Sequence, residues 1–274
     1  MRFHLVEAGH GPLVLLLHGF PEFWFGWRAQ IPAMAEHFRV VAPVLRGYNL
    51  SGKPRSGYDI KTLAADVPAL IRALGAERAH VVGHDWGGVV AWAAAMLHPE
   101  VVDRLAILNA PHPAAYLREL RRNPRQWLRS WYIGLFQAPR LAEWLLTRGN
   151  GQGVADLLLS STVDPECFWP DNLAPYRRAI LRPGAARATL AYYRALVATP
   201  PGRVQQLVRR IQAPTLLIWG MQDPALVPDL TEGLDDCVPS LRVEQIAEAG
   251  HWVQHEQSTL VNRLLLEHLA EAGA

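Results

Sequence analysis

The chain has 274 residues, half of them apolar and 19% charged, with 27 Lys and Arg against 25 Asp and Glu for a formal net charge of +2. That length suits one large domain, or one domain carrying an insertion, and the composition excludes a disordered, collagenous or coiled-coil chain. The near-balanced charge creates no field that would draw nucleic acid or an anionic membrane. Cys167 and Cys237 are too few for a disulfide framework and lie in no metal-ligand spacing. The apolar stretch Leu13–Leu17 is too short for a secretory signal, and the longest apolar run, Val89–Leu97, is about half of a membrane span. The expectation is a soluble cytoplasmic protein.

In chain order, strands are predicted over Phe3–Glu7, Pro12–Leu17, Arg39–Ala42, Ala79–Val82 and Arg104–Leu108. Helices are predicted between them over Gly26–His37, Ile60–Leu74 and Trp86–Leu97. The strands are short, rich in Val, Ile and Leu, and apolar on both sides, as in a parallel sheet covered on both faces. From about Pro113 to Arg203 there is no buried strand, only Arg-, Leu- and Trp-rich helical stretches broken by Pro and Gly. Strands return at Thr215–Trp219 and Arg242–Ile246, followed by a last helix over Ser258–Glu271. This alternation implies an α/β fold, a mostly parallel sheet with helices on both faces. The expected division is a core of residues 1–112 and 204–274 with an inserted helical cap at 113–203.

The strongest chemical signal is Val81-Val82-Gly83-His84-Asp85-Trp86-Gly87-Gly88. A strand ends at Gly83 and an apolar helix follows, which is the glycine-flanked elbow that raises a nucleophile above a sheet edge, here with Asp85 as the nucleophile. A helix N-terminus behind it favours an ionised carboxylate. Read alone, the segment is also compatible with a glycine-rich turn and an N-capping Asp. Two further groups appear in the order that the elbow requires, nucleophile then acid then histidine. Strand Thr215–Trp219 runs into Gly220-Met221-Gln222-Asp223, and strand Arg242–Ile246 runs into Glu248-Ala249-Gly250-His251-Trp252. Loops beyond the carboxyl ends of parallel strands are where such sheets assemble their sites. Strand Pro12–Leu17 leads into His18-Gly19-Phe20-Pro21, so the backbone N–H groups of Phe20 and Trp86 are the expected oxyanion donors. Trp86, Phe20 and Pro21 are expected to touch substrate.

Together the Val-Gly-His-Asp-Trp-Gly-Gly, His-Gly-Phe-Pro-Glu, Arg46-Gly47-Tyr48, Leu108-Asn109-Ala110-Pro111-His112-Pro113 and Gly250-His251-Trp252 segments resemble the α/β-hydrolase-fold epoxide hydrolases over nearly the whole chain. Most other members of that superfamily place Ser where this chain has Asp85. A carboxylate displaces a leaving group from saturated carbon and becomes an alkyl ester, which water must then cleave. The resemblance implies hydrolysis of an epoxide to a vicinal diol, with His251, held by Asp223, activating that water. It also implies two cap tyrosines that protonate the epoxide oxygen. They map to Tyr132, in Trp131-Tyr132 ahead of Phe136-Gln137-Ala138-Pro139, and to Tyr193 in Tyr192-Tyr193-Arg194, with Tyr192 the competing assignment. The implied partners are a small-molecule epoxide and water, without metal or organic cofactor, because carboxylate, phenol and imidazole fill every role. Monomer and homodimer both stay open.

Haloalkane dehalogenases share the Asp-Trp elbow, but many hold halide with an Asn where this chain has Phe20, and dehalogenation is the alternative reading. A non-catalytic hydrolase-fold binding protein is the other. The chain departs from its relatives in starting about one strand late, so the first edge strand is expected to be missing. Val44 also replaces an Asp common in relatives, and the cap loops around Gly149–Gly153 and Phe168–Asn172 have no counterpart. Gly47–Lys53 mimics a phosphate-binding loop but continues into Pro54, which removes the required hydroxyl. Arg118, Arg122, Arg125 and Arg129 fall on one helical face, read as a solvated cap surface in preference to a nucleic-acid stripe.

Overall fold

The computed structural model describes residues 1–271. Its sheet is built from β1 (Leu5–Ala8), β2 (Leu13–Leu17), β3 (Arg39–Pro43), β4 (Ala79–His84), β5 (Val102–Leu108), β6 (Thr215–Gly220) and β7 (Leu241–Ile246). The strand order is β1-β3-β2-β4-β5-β6-β7, with β1 antiparallel to β3 and every other pairing parallel. Strand sites agree with the sequence expectation to within about two residues at each end.

Helices cover both faces. On the first, α2 (Ile60–Ala73) and α3 (Trp86–Leu97) pack against Leu13, Leu15 and Leu17. On the second, α1 (Gln30–Ala35) and α11 (Ser258–Ala270) pack against Val14 and Leu16. Successive residues of one strand therefore enter opposite cores, and all five residues of β2 are buried. The predicted helix Gly26–His37 is instead a 3-10 turn, Trp24–Trp27, followed by the short α1. Pro32 is the reason: lacking an N–H it is tolerated only in a first turn, so α1 cannot extend back through Arg28.

Between β5 and β6 every described element is helical: α4 (Pro113–Arg122), α5 (Pro124–Arg129), α6 (Trp131–Leu135), α7 (Leu141–Ser160), α8 (Pro170–Ile180), α9 (Ala185–Ala198) and α10 (Pro201–Gln205). The expected boundary at 203/204 falls inside α10. Non-helical backbone at Arg148–Gly151 interrupts α7. The arginine stripe does not form. Helix α4 stops at Arg122, Asn123 caps α5 and Pro124 takes its first position, so the two turns lose a common phase. Arg118 instead donates to the Glu232 and Asp229 carbonyls, and Arg129 to those of Asp223 and Leu226. No helix among the described residues is long and apolar enough to cross a membrane.

Candidate active site

Five neighbouring strands, β2, β4, β5, β6 and β7, each deliver one polar group just past their carboxyl ends. Asp85 occupies the turn between β4 and α3 with φ 48° and ψ −120°, a conformation rare for a residue with a side chain. The turn is possible because its flanks are bare. A Cβ on Gly87 would lie 2.0 Å from the Leu17 carbonyl oxygen, and one on Gly83 would lie 2.4 Å from the Gly87 carbonyl oxygen. Gly19 allows the chain beyond β2 to come equally close, since a Cβ there would sit 2.6 Å from Asp85 Cβ. The Phe20 N–H consequently donates to Asp85 Oδ1 at 2.7 Å. Burial raises the Asp85 pKa, against the opposing pull of His251, His84 and the backbone N–H groups of Phe20 and Trp86.

His251 and Asp223 form the other half. His251 Nδ1 lies 2.7 Å from Asp223 Oδ2, while its Nε2 lies 3.8 Å from Asp85 Oδ2, beyond direct hydrogen bonding. Both Asp223 oxygens are saturated. Oδ1 accepts from the N–H groups of Ala225 and Leu226, and Oδ2 also accepts from Asn109 Nδ2 at 2.8 Å. Burial opposes ionisation of Asp223, but His251 and these donors outweigh it and hold the carboxyl below its ordinary range. Burial likewise opposes a charged His251, yet Asp223, then Asp85 and Glu22, carry its pKa up to about 9.

A cavity of about 580 Å³ opens above this group, lined by Asp85, Trp86 and His251 from the core and by Tyr132, Tyr192 and Tyr193 from the helical insertion. Tyr132 and Tyr193 sit edge to face with ring centres 6.0 Å apart, and Tyr193 also packs edge-on against Trp86 and Phe20. Burial holds both phenols well above their ordinary pKa. They are therefore protonated at neutral pH. Tyr192 differs, because its hydroxyl donates to the Arg46 carbonyl at 2.7 Å and is committed to the fold. The Phe20–Pro21 peptide is cis, and both residues are buried without being among those that line the cavity, so that of the three side chains expected at the substrate only Trp86 lines it.

Several supporting groups escaped the sequence reading. Asn109, φ 38°, follows β5, donates to Asp223 and pairs with the Gly220 backbone; the strand-end rule that located the other groups points to it as well. Glu22 is buried and bonded to His255 Nε2 at 2.7 Å, Tyr176 Oη and Gln254 Nε2, with His84 Nδ1 at 3.3 Å. Although burial opposes it, these partners hold Glu22 well below its ordinary pKa, so a further buried anion lies behind the elbow. His84 in turn contacts the His251 carbonyl through Nε2 at 2.9 Å. At Val44, the backbone accepts Ser51 Oγ and donates to the His4 carbonyl. His18 stays ordered without the absent Asp, since its Nε2 accepts from Leu45 N–H and its Nδ1 donates to the Gly19 carbonyl.

A family model for the alpha/beta hydrolase fold matches residues 12–258. The AB hydrolase superfamily protein YfhM of Bacillus subtilis is 40% identical, covering 98% of this chain and 94% of its own. Epoxide hydrolase 4 of Mus musculus is 33% identical over 99% of this chain and 77% of its own. The crystal structure of Bacillus megaterium epoxide hydrolase in complex with an inhibitor is 34% identical and superposes with a TM-score of 0.89, covering 98% of this chain and 97% of that one. The chain belongs to the epoxide hydrolase family of the α/β-hydrolase fold.

Proposed function

We propose that this chain hydrolyses an epoxide to a vicinal diol through an alkyl ester on Asp85, with residues 113–203 acting as a cap over the core formed by 1–112 and 204–274. One juxtaposition carries the reading: Asp85 lies between backbone N–H donors on one side and the His251–Asp223 pair on the other, beneath two protonated phenols of the cap. Because Phe20 N–H holds Oδ1, the free Oδ2 is the attacking atom. It forms a bond to an epoxide carbon, the ring C–O bond breaks, and the departing oxygen takes the proton of Tyr132 or Tyr193. The phenolate so formed recovers a proton at the expense of His251, which began charged.

A histidine with a pKa near 9 is already protonated at neutral pH and has no free nitrogen to accept a proton, and esterification changes this. Once Asp85 is an ester its negative charge is gone, one of the attractions that raised His251 disappears, and the neutral imidazole becomes accessible. Nε2 then accepts a proton from a water whose oxygen attacks the ester carbon. The developing oxyanion is Oδ1, already held by the N–H of Phe20, with the N–H of Trp86 a second donor to the same carboxyl. Collapse breaks the bond between the ester carbon and Oδ2, the departing diol oxygen takes the hydroxyl proton of the tetrahedral intermediate, the Asp85 carboxylate is restored, and His251 is again charged. Protons balance over the cycle, and the only co-reactant is water.

Dehalogenation receives less support, since Phe20, packed edge-on between Phe136 and Tyr193, offers no side-chain N–H to a departing halide. The deciding experiment uses His251→Gln with an aryl epoxide. The expected result is a mass increase on the Asp85 peptide equal to the epoxide, with diol release blocked. Absence of the adduct, or bromide release from a bromoalkane by the unaltered protein without diol from any epoxide, would refute the proposal.

A further inference from the structure

The loop Asp223–Val227 carries the acid of the proposed pair, and its backbone groups are satisfied in an unusual way. Asp223 uses its own Oδ1 to bind the N–H groups of Ala225 and Leu226. The carbonyls of Asp223, Ala225 and Leu226 and the N–H of Val227 are instead satisfied from the helical insertion, by two side chains of α5. Arg129 Nη1 donates to Asp223 O at 2.9 Å and to Leu226 O at 3.0 Å. Gln126, with no exposed surface, donates Nε2 to Ala225 O at 3.0 Å and accepts from Val227 N–H through Oε1 at 3.0 Å. Buried backbone polar groups must find partners, so this loop has its observed shape only while α5 lies against it.

Three residues beyond Arg129 the chain reaches Tyr132, the first phenol over the cavity. The segment between is itself tied down, with Ser130 Oγ donating to Gln126 O and accepting from Gln126 Nε2. One short stretch, Gln126–Tyr132, thus touches the acid loop at one end and the cavity at the other.

From this we infer that Gln126 and Arg129 are positioning residues, which set the Asp223 carboxylate on His251 from the cap and register Tyr132 against the same pair. The inference rests on the reading of Asp223 and His251 given above. It places the acid that orients the base and the phenol that opens the ring on one shared brace, and of the two the acid loop depends on it more directly, through four hydrogen bonds. Arg129 acts through backbone carbonyls alone, so its charge makes no contact with reacting atoms.

The test separates the two half-reactions by rapid mixing and mass analysis of the Asp85 peptide. In Arg129→Met, ester hydrolysis should slow by about tenfold or more, since a misplacement near 1 Å costs up to about a hundredfold. Ring opening should fall less, ester should accumulate, and the pH profile of hydrolysis should move to lower pH as Asp223 loosens its hold on His251. Arg129→Lys, which keeps a cationic donor, should recover most of the hydrolysis rate, and Gln126→Leu should reproduce the Arg129→Met pattern. Equal slowing of both steps with an unmoved pH profile, or hydrolysis at the original rate, would overturn the inference. Asp223→Asn is run in parallel. If it too hydrolyses ester normally, the reading of Asp223 itself fails and the positioning role falls with it; if it is blocked while Arg129→Met is normal, only the positioning role falls. Should Arg129→Met not fold, Arg129→Gln serves the same comparison.

Discussion

The proposed cycle requires that the neutral form of His251 become accessible when Asp85 loses its charge, and Asp85→Asn imitates that loss without changing the shape of the side chain. His251 has an ordinary pKa of 6.5, raised to about 9 in the fold, with burial opposing and Asp223 then Asp85 among the groups that raise it. The Nε2 to Oδ2 separation is 3.8 Å. Unit charges about 4 Å apart interact by about 4 kcal/mol at an effective dielectric of about 20, equivalent to about 3 pH units. Asp223, in direct contact at 2.7 Å, provides the larger share of the attraction and is untouched by the substitution. The His251 pKa in Asp85→Asn should therefore fall by about one to three pH units. The measurement is a titration of the imidazole carbon shift by NMR in both proteins, with His251→Gln to assign the resonance. A His251 pKa that stays in place would refute the electrostatic argument, and with it the explanation of how a charged histidine serves as a base. The same raised pKa has a stability consequence of definite sign. The contribution is complete below about pH 6.5 and is lost as pH rises through about 9.

Tyr132→Phe and Tyr193→Phe should each slow ester formation, and the double variant should lose about 10²- to 10⁴-fold in single-turnover ring opening. Bromoalkane turnover, if present, should suffer less. Tyr192→Phe should leave ring opening intact but lower stability by about 1 kcal/mol in a urea titration, because it removes the donor to the Arg46 carbonyl. Asn109→Ala strips Asp223 of one donor and breaks the pairing with Gly220, and should destabilise the fold by about 1–3 kcal/mol while slowing ester hydrolysis more than ester formation. Gly87→Ala forces a methyl against the Leu17 carbonyl and should cost about 3 kcal/mol, seen as a lower melting temperature or loss of soluble protein.

The strands and the three groups Asp85, Asp223 and His251 were legible in the sequence because their signals are local. A run of apolar residues ending in Gly-His-Asp-Trp-Gly-Gly specifies strand, turn and helix within a few positions, and the acid and histidine each follow their own strand directly. The division of labour between Tyr192 and Tyr193 was not legible, since adjacent residues on α9 differ by about 100° in direction and only the surrounding helices decide which hydroxyl meets the Arg46 carbonyl. The arginine stripe misled for a local reason that the sequence did contain, the Asn123-Pro124 restart of the helix.

What the sequence by itself determined is the order of Asp85, Asp223 and His251 along the chain and the sheet that raises all three to one edge, because neighbouring residues dictate strand ends and turns. Only the tertiary structure decided what braces them. Gln126 meets Val227 across 101 residues and Glu22 meets His255 across 233. Partners so distant in the chain leave no periodicity to read, and are selected by the requirement that every buried donor, acceptor and charge find a complement when the layers close.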